Sequence, residues 1–458
     1  MSDTSLANKD KLLRVLVFAL IFSVMNGTMF NVALPVIGEE FNLVPSQLSW
    51  IMTGYMVVYA IGSVVFGKLA DKFRLKDLLT FGLTFFAVGS VIGMLAAEYW
   101  MIILGRVLQA AGASVLPATA MIIPIRYFPP EERGKALGTS AIGLALGGAL
   151  GPVVAGVITS VGSWRLLFLF SLLSLVTLPF FRKYMEDEKG EGAGIDFLGG
   201  GLLAGTVAFL LLAITQSDWM LFGGGIFLLA LFIFRIRTAS EPFIQPDLFK
   251  NRSFSIGLLI SFTIQAMSFG LTFMTPQFLA SLNQLTSGYI GFVLFPAAIS
   301  AAIMGRKGGK LADERGNAYL VKVAGTLLFL CFAILSSLVG VSPYVIAVVL
   351  IAGNVGQTFM QVALSNTISR TLRKDQVGVG MGLFSMMNFI SGAISMSVIG
   401  KLLDQSSSVH LNPIVSNENA YVYSNIFVVM SILTVFSIGL YLIQFVLKGR
   451  SVTAGKQL

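Results

Sequence analysis

The chain has 458 residues, of which 55% are hydrophobic and 12% charged, about half the charge of an ordinary soluble domain at about 25%. That supply cannot cover a water-facing surface, which excludes a string of soluble domains. The net charge of +9 does not point to nucleic acid, because the basic residues are scattered through short connectors instead of gathered on one folded face.

Apolar runs recur along the whole length. Spans are predicted near 12–34, 47–69, 78–97, 101–123, 135–159, 164–182 and 196–215, then near 219–237, 253–280, 286–305, 319–339, 343–369, 378–402 and 422–446. Each is about 20 residues, enough helix to cross a hydrocarbon core roughly 30 Å thick. The expected fold is therefore all-α and integral to the membrane, with fourteen transmembrane helices in a lipid bilayer. The stretch MSDTSLANKDKLLR leads into a run that continues to Asn31 without a small-residue cleavage site, so the first helix reads as retained and not as a signal peptide. The single cysteine, Cys331, lies inside an apolar run and reads as an inert buried residue.

All but three of the 31 Lys and Arg residues fall at the two termini or on the even-numbered side of this arrangement; the exceptions are Arg106, Arg165 and Lys401. The positive-inside rule then puts both termini in the cytoplasm of a plasma-membrane protein. Adding or losing one span would swap every later connector to the wrong face, so the asymmetry also supports the count of fourteen. Two connectors, RKYMEDEKGEGAG from Arg182 and RTASEPFIQPDLFKNRS from Arg237, bracket the seventh and eighth spans. They read as solvated linkers or as amphipathic surface segments.

GKLADKFRLK from Gly67 follows the second span, and GKLADERGNA from Gly309 follows the tenth. Five consecutive residues are identical. Setting aside the bracketed pair leaves two six-helix pseudo-repeats with this loop at the same place in each. The expected organisation is 1–190 as one six-helix bundle, 191–240 as an inserted two-helix hairpin, and 241–458 as a second six-helix bundle with a short tail.

At these residues the chain resembles the major facilitator superfamily, in particular its fourteen-helix drug/proton antiporter branch, and is similar to Gram-positive tetracycline exporters. The family's loop signature matches Gly67, Leu69 and Asp71, and again Gly309, Leu311 and Asp313; its second glycine is Gly316 in one copy and is replaced by Arg74 in the other. Physically, the glycine would let helix ends approach and the aspartate would accept from an exposed helix N-terminus, a latch between two states. A solvated tight turn is the plain alternative.

The fifth span reads GTSAIGLALGGALGPVVAG, with Gly143, Gly147 and Gly151 four apart and Pro152 next. That spacing sets the glycines along one face, where another helix can pack closely. The pattern resembles the exporter signature of the superfamily, with tight helix packing as the generic reading. The fourth span, GRVLQAAGASVLP, places Arg106 in the membrane with Gln109 and Gly112 after it. It resembles the family's fourth-helix arginine motif, which implies a part in proton coupling; an arginine reaching toward the outer interface is the structural alternative. The first span contains MNGTMFNVALP, resembling the first-helix signature of the branch, but has Asn26 and Gly27 where many relatives carry an acid. The thirteenth, MMNFISGAISMSVIG, resembles the matching helix of tetracycline exporters, whose glutamate is here Gly392.

No carboxylate is expected at mid-membrane depth. Asp196, at the start of the seventh span, is either a protonation site or an N-cap. The proton-coupling candidates are thus Arg106, Asp196, Asp71 and Asp313. A site without a carboxylate suits neutral, zwitterionic or metal-chelated amphiphiles better than permanent cations. Asn26, Asn31, Gln265, Gln277, Asn354, Gln357, Gln361 and Asn388 are candidates to orient such a substrate, or to bond one helix to another.

A membrane enzyme would need charged or metal-ligating residues clustered at one interface, and none appear, so neither catalysis nor a cofactor is expected. A non-transporting sensor would have no use for two latch loops, and an importer or uniporter fits the fifth span less well. The resemblance implies proton-linked export of a small molecule by alternating access.

Overall fold

The computed structural model describes residues 3–70, 72–185, 196–373, 376–405 and 407–447. Asp71 and most of the connector from Arg182 lie outside the described residues. Fourteen helices among those described are long and apolar enough to cross a membrane. In lipid this is forced, since every backbone N–H and C=O must find its partner within the segment.

Two spans run well past their predicted ends. The first, Lys9–Phe41, continues as helix through Pro35. The tenth, Ser287–Arg315, stays helical through GKLADER and stops only at Gly316, whose φ of 81° turns the chain. A left-handed φ of that kind is open to glycine at little cost. Irregularity falls inside other spans: the fourth, Tyr99–Tyr127, is interrupted at Ser114, and the sixth, Leu166–Tyr184, tightens to a 3-10 helix over Leu172–Val176.

The chain divides into two compact units, Met1–Ile244 and Gln245–Leu458. The hairpin of the seventh and eighth spans, Phe197–Gln216 and Trp219–Thr238, belongs to the first unit. Trp50 of the second span donates to the Thr215 hydroxyl at 3.2 Å, fixing one end of that hairpin. At the other end Lys68 donates to the Pro242 carbonyl at 3.1 Å. Among the described residues of the eighth span only Gly225 and Phe232 are buried, so most of this apolar helix faces outward, as a lipid-facing helix does.

Arg165, an exception to the basic asymmetry, has a structural task in the same unit. It pairs with Glu40 at 2.7 Å and donates to the Ala96 carbonyl at 2.7 Å, while Trp164 donates to the other Glu40 oxygen at 2.6 Å. These contacts tie the end of the first span to the start of the sixth. In the second unit, rings of Phe278, Phe332 and Phe427 pack in series, and Ser261 donates to Asn388 at 2.8 Å between the ninth and thirteenth spans.

Candidate functional site

The third and fourth spans meet backbone to backbone. A Cβ on Gly89 would sit 2.6 Å from the Gly105 carbonyl oxygen, and one on Gly105 would sit 2.9 Å from that of Gly89. Only glycine permits this approach, which brings the Ser90 hydroxyl within 2.8 Å of Gln109 Nε2. Gln109 in turn accepts from Arg106 Nη1 through Oε1 at 3.1 Å.

Arg106 is wholly buried, as are Gln109 and Asn26. It points into the first unit and not toward the outer interface. Its Nη1 also donates to Oδ1 of Asn26 on the first span, and its Nε lies 3.4 Å from the Ile51 carbonyl on the second. The guanidinium carbon sits 4.2 Å from the ring centre of Phe30 and 4.1 Å from that of Tyr55. A buried arginine costs about 2.5–3.5 kcal/mol on insertion scales, and each ring face returns roughly 0.5–2 kcal/mol. Among the described residues no carboxylate pairs with it.

Sequence reading named Arg106, Asn26 and Gln109 but missed Phe30, Tyr55 and Ser90. Part of the signal was available, since Phe30 follows Asn26 by one helical turn and shares its face.

The fifth-span glycines lie against the same first helix. Added Cβ atoms would meet Val17 O at 3.1 Å from Gly143, Ile21 O at 2.6 Å from Gly147, and Met25 O at 3.2 Å and the Thr28 hydroxyl from Gly151. Both sets advance by four, so two parallel helices are in register along this seam. Pro152 follows within the helix.

The residues expected to form a latch behave differently. A Cβ on Gly67 or Gly309 would meet nothing within 4 Å, so the close approach expected at these glycines is not made within either unit. Asp313 is exposed near the end of the tenth span, beside a 3.5 Å pair between Lys310 and Glu314.

Asp196 is enclosed at the start of the seventh span. One oxygen accepts from the Gly199 N–H at 3.0 Å and from Arg235 Nε at 3.0 Å, and the other from the Phe243 N–H at 3.3 Å. Burial pushes its pKa up, but the hydrogen bonds from Gly199, Arg235 and Phe243 outweigh it and hold the carboxyl below the ordinary aspartate range. It caps the helix as an anion.

The amide candidates scatter. Asn31 is buried on the first span with an unpartnered Oδ1. Gln277 donates to the Phe273 carbonyl of its own helix, and Asn388 is engaged by Ser261. Gln265 is half-buried on the ninth span. Asn354, Gln357 and Gln361, also half-buried, form a stripe along one face of the twelfth span, Pro343–Ser369. At Gly392 an added Cβ would run into the ring of Phe269, so the aromatic occupies the space a side chain there would need.

The second unit also holds a cavity of about 560 Å³ among the ninth, thirteenth and fourteenth spans, with Met267, Ile399 and Met430 in its walls. None of the amide candidates lines it. Among its polar lining residues, Asn425 is already occupied, bonding both the Val409 carbonyl and the Leu411 N–H at 2.8 Å.

The family described as Major Facilitator Superfamily matches residues 16–396. The riboflavin transporter RibZ of Clostridioides difficile (strain 630) is 25% identical over 439 residues, 92% of this chain and 96% of its own. Multidrug resistance protein 3 of Bacillus subtilis (strain 168) is 27% identical over 336 residues, 70% of this chain and 65% of its own. Among solved structures, the nucleoside transporter NupG superposes with a TM-score of 0.68 at 12% identity, over 95% of this chain and 100% of that one. At that identity the likeness speaks to the fold alone.

Proposed function

The chain belongs to the major facilitator superfamily, and on that premise we propose that it exports small amphipathic, drug-like compounds in exchange for protons by alternating access. One observation carries this reading. The first span bonds Arg106 of the fourth through Asn26 and takes the glycine face of the fifth along its length. A shift of the first helix is then felt at the arginine, which gives substrate and proton a shared mechanical element. In this proposal Arg106 is the coupling residue, and Asp71 and Asp313 of the repeated GKLAD motif bias the two states, Asp313 from the last turns of the tenth span. Asp196, held as an anion, anchors the inserted hairpin. The basic connectors face the cytoplasm of the plasma membrane, and two six-helix halves flank the insertion at 191–240.

A second reading is movement of a planar metabolite without export of drugs. It is favoured by the match to RibZ, named a riboflavin transporter, over nearly its whole length. Purified protein in vesicles loaded with a pH-sensitive dye separates the two. With an imposed proton gradient, tetracycline and a panel of amphiphiles are expected to provoke proton release that Arg106→Ala abolishes. Substrate movement with no proton flux would discard the antiport mechanism.

A further inference from the structure

We infer that Arg106 is the docking point for an oxyanion, such as a carboxylate, carried by the transported compound. The inference rests on the transporter reading and adds the charge of its substrate.

Arginine stays protonated in any protein environment and can only donate hydrogen bonds. Here it is fully buried, yet the groups around it are two side-chain amides, backbone carbonyls and the faces of Phe30 and Tyr55. These spread the charge without cancelling it. Buried charges in folded proteins are normally paired, and among the described residues this one has no carboxylate.

Two unmet groups indicate what is missing. Arg106 Nη2 has no hydrogen-bond partner, and neither does Asn26 Nδ2. The orientation of Asn26 is fixed, because the guanidinium donates and the amide must turn Oδ1 toward it. Its Nδ2 is therefore a true donor. Two unsatisfied donors on one bonded pair, next to an uncancelled positive charge, call for an acceptor that is negative. Water would meet the hydrogen bonds but not the charge. A carboxylate meets both, and a guanidinium edge matches it geometrically. Asn26 sets the selectivity: an acid at this position would fill the site from within, whereas the amide leaves it open to a ligand. Since Arg106 is sealed here, loading belongs to a conformation in which the first span has moved off the fourth.

The test is equilibrium binding to the purified full chain in detergent, without any gradient, using two dyes on one xanthene framework: fluorescein, an anion at neutral pH, and a rhodamine ester, a cation. The wild type is expected to bind fluorescein at least about tenfold more tightly than the rhodamine, in line with a charge-assisted contact. Asn26→Asp, nearly isosteric, is expected to reverse the order by supplying an internal anion, and Arg106→Gln to erase it. Thermal midpoints establish that each variant is folded; if Arg106→Gln is not, Asn26→Asp carries the test alone. Absence of fluorescein binding to the wild type, or the same preference in Asn26→Asp, overturns the inference. So does sulfate that stabilises the wild type but not Asn26→Asp while fluorescein adds nothing, because the site then takes a free inorganic anion. Vesicle transport that ignores substrate charge would sink the anion site and leave the exporter standing. Dye preference without transport of any compound would do the reverse.

Discussion

Lysine at position 106 would keep the charge and lose the shape. An ammonium on a flexible stem cannot lie flat between Phe30 and Tyr55 while donating to both Asn26 and Gln109. Arg106→Lys is therefore expected to fold and to transport at least about tenfold more slowly, read as initial rates in vesicles per mole of protein. Wild-type rates in that variant would mean that only the charge matters. Asp196 makes a different prediction. Its carboxyl is held below the usual aspartate range, so the stabilisation it gives is complete at neutral pH and is lost as the pH falls below about 4, through its folded-state pKa. Asp196→Asn should lower the thermal midpoint at neutral pH by removing contacts worth about 1.5–3 kcal/mol when charged. The difference from wild type should shrink in acid. A gap unchanged down to pH about 3 would refute the anionic anchor. Both residues were visible in the sequence, Arg106 as a charge inside a span and Asp196 as an acid at the start of one. Their partners Tyr55, Arg235 and Phe243 were not, because no local spacing links them to the residues they touch.

Among the elements, the seam between the first and fifth spans decides how much of the glycine pattern matters. Gly147 and Gly148 are neighbours on one helix, yet a Cβ on the first would lie 2.6 Å from a backbone oxygen, while the nearest atom to a Cβ on the second is 3.9 Å away. Gly147→Leu is expected to cost about 1–3 kcal/mol through overpacking, with loss of transport. Gly148→Ala should stay within about 0.5 kcal/mol. Thermal midpoints in detergent and vesicle rates check both; equal tolerance would mean that the seam is not tight in the membrane. The fourfold spacing in the sequence announced a packing face but not the helix it meets, since that depends on tertiary placement. The glycines of the repeated motif, expected in loops but held in helices, show the converse. Gly67 and Gly309 sit in an obvious repeat and make no close approach within their units, whereas Gly316 is required by its backbone angle alone. A repeated motif marks a position; the dihedral or the neighbour states why glycine is there.

For the whole molecule, length and charge asymmetry made the fourteen spans legible, because lipid allows few alternatives to the apolar helix. The asymmetry was imperfect at Arg165, which the structure explains by its pair with Glu40 and its bond to Ala96. The number of crossings and their direction can be tested together. Native Cys331 is fully buried, so it contributes no background to labelling. Ser240 follows the eighth span and Ser408 precedes the fourteenth, and both are exposed. Spans nine to thirteen lie between them, an odd number, which requires the two positions to be on opposite faces. With the basic connectors inside, a cysteine at position 408 is expected to react with a membrane-impermeant maleimide in intact cells, and one at position 240 only after permeabilisation. The reversed pattern would keep the count and invert the protein, placing its basic connectors outside. Reaction of both from one side would remove a crossing between them and, with it, the equivalence of the two GKLAD motifs on which the two-repeat plan depends.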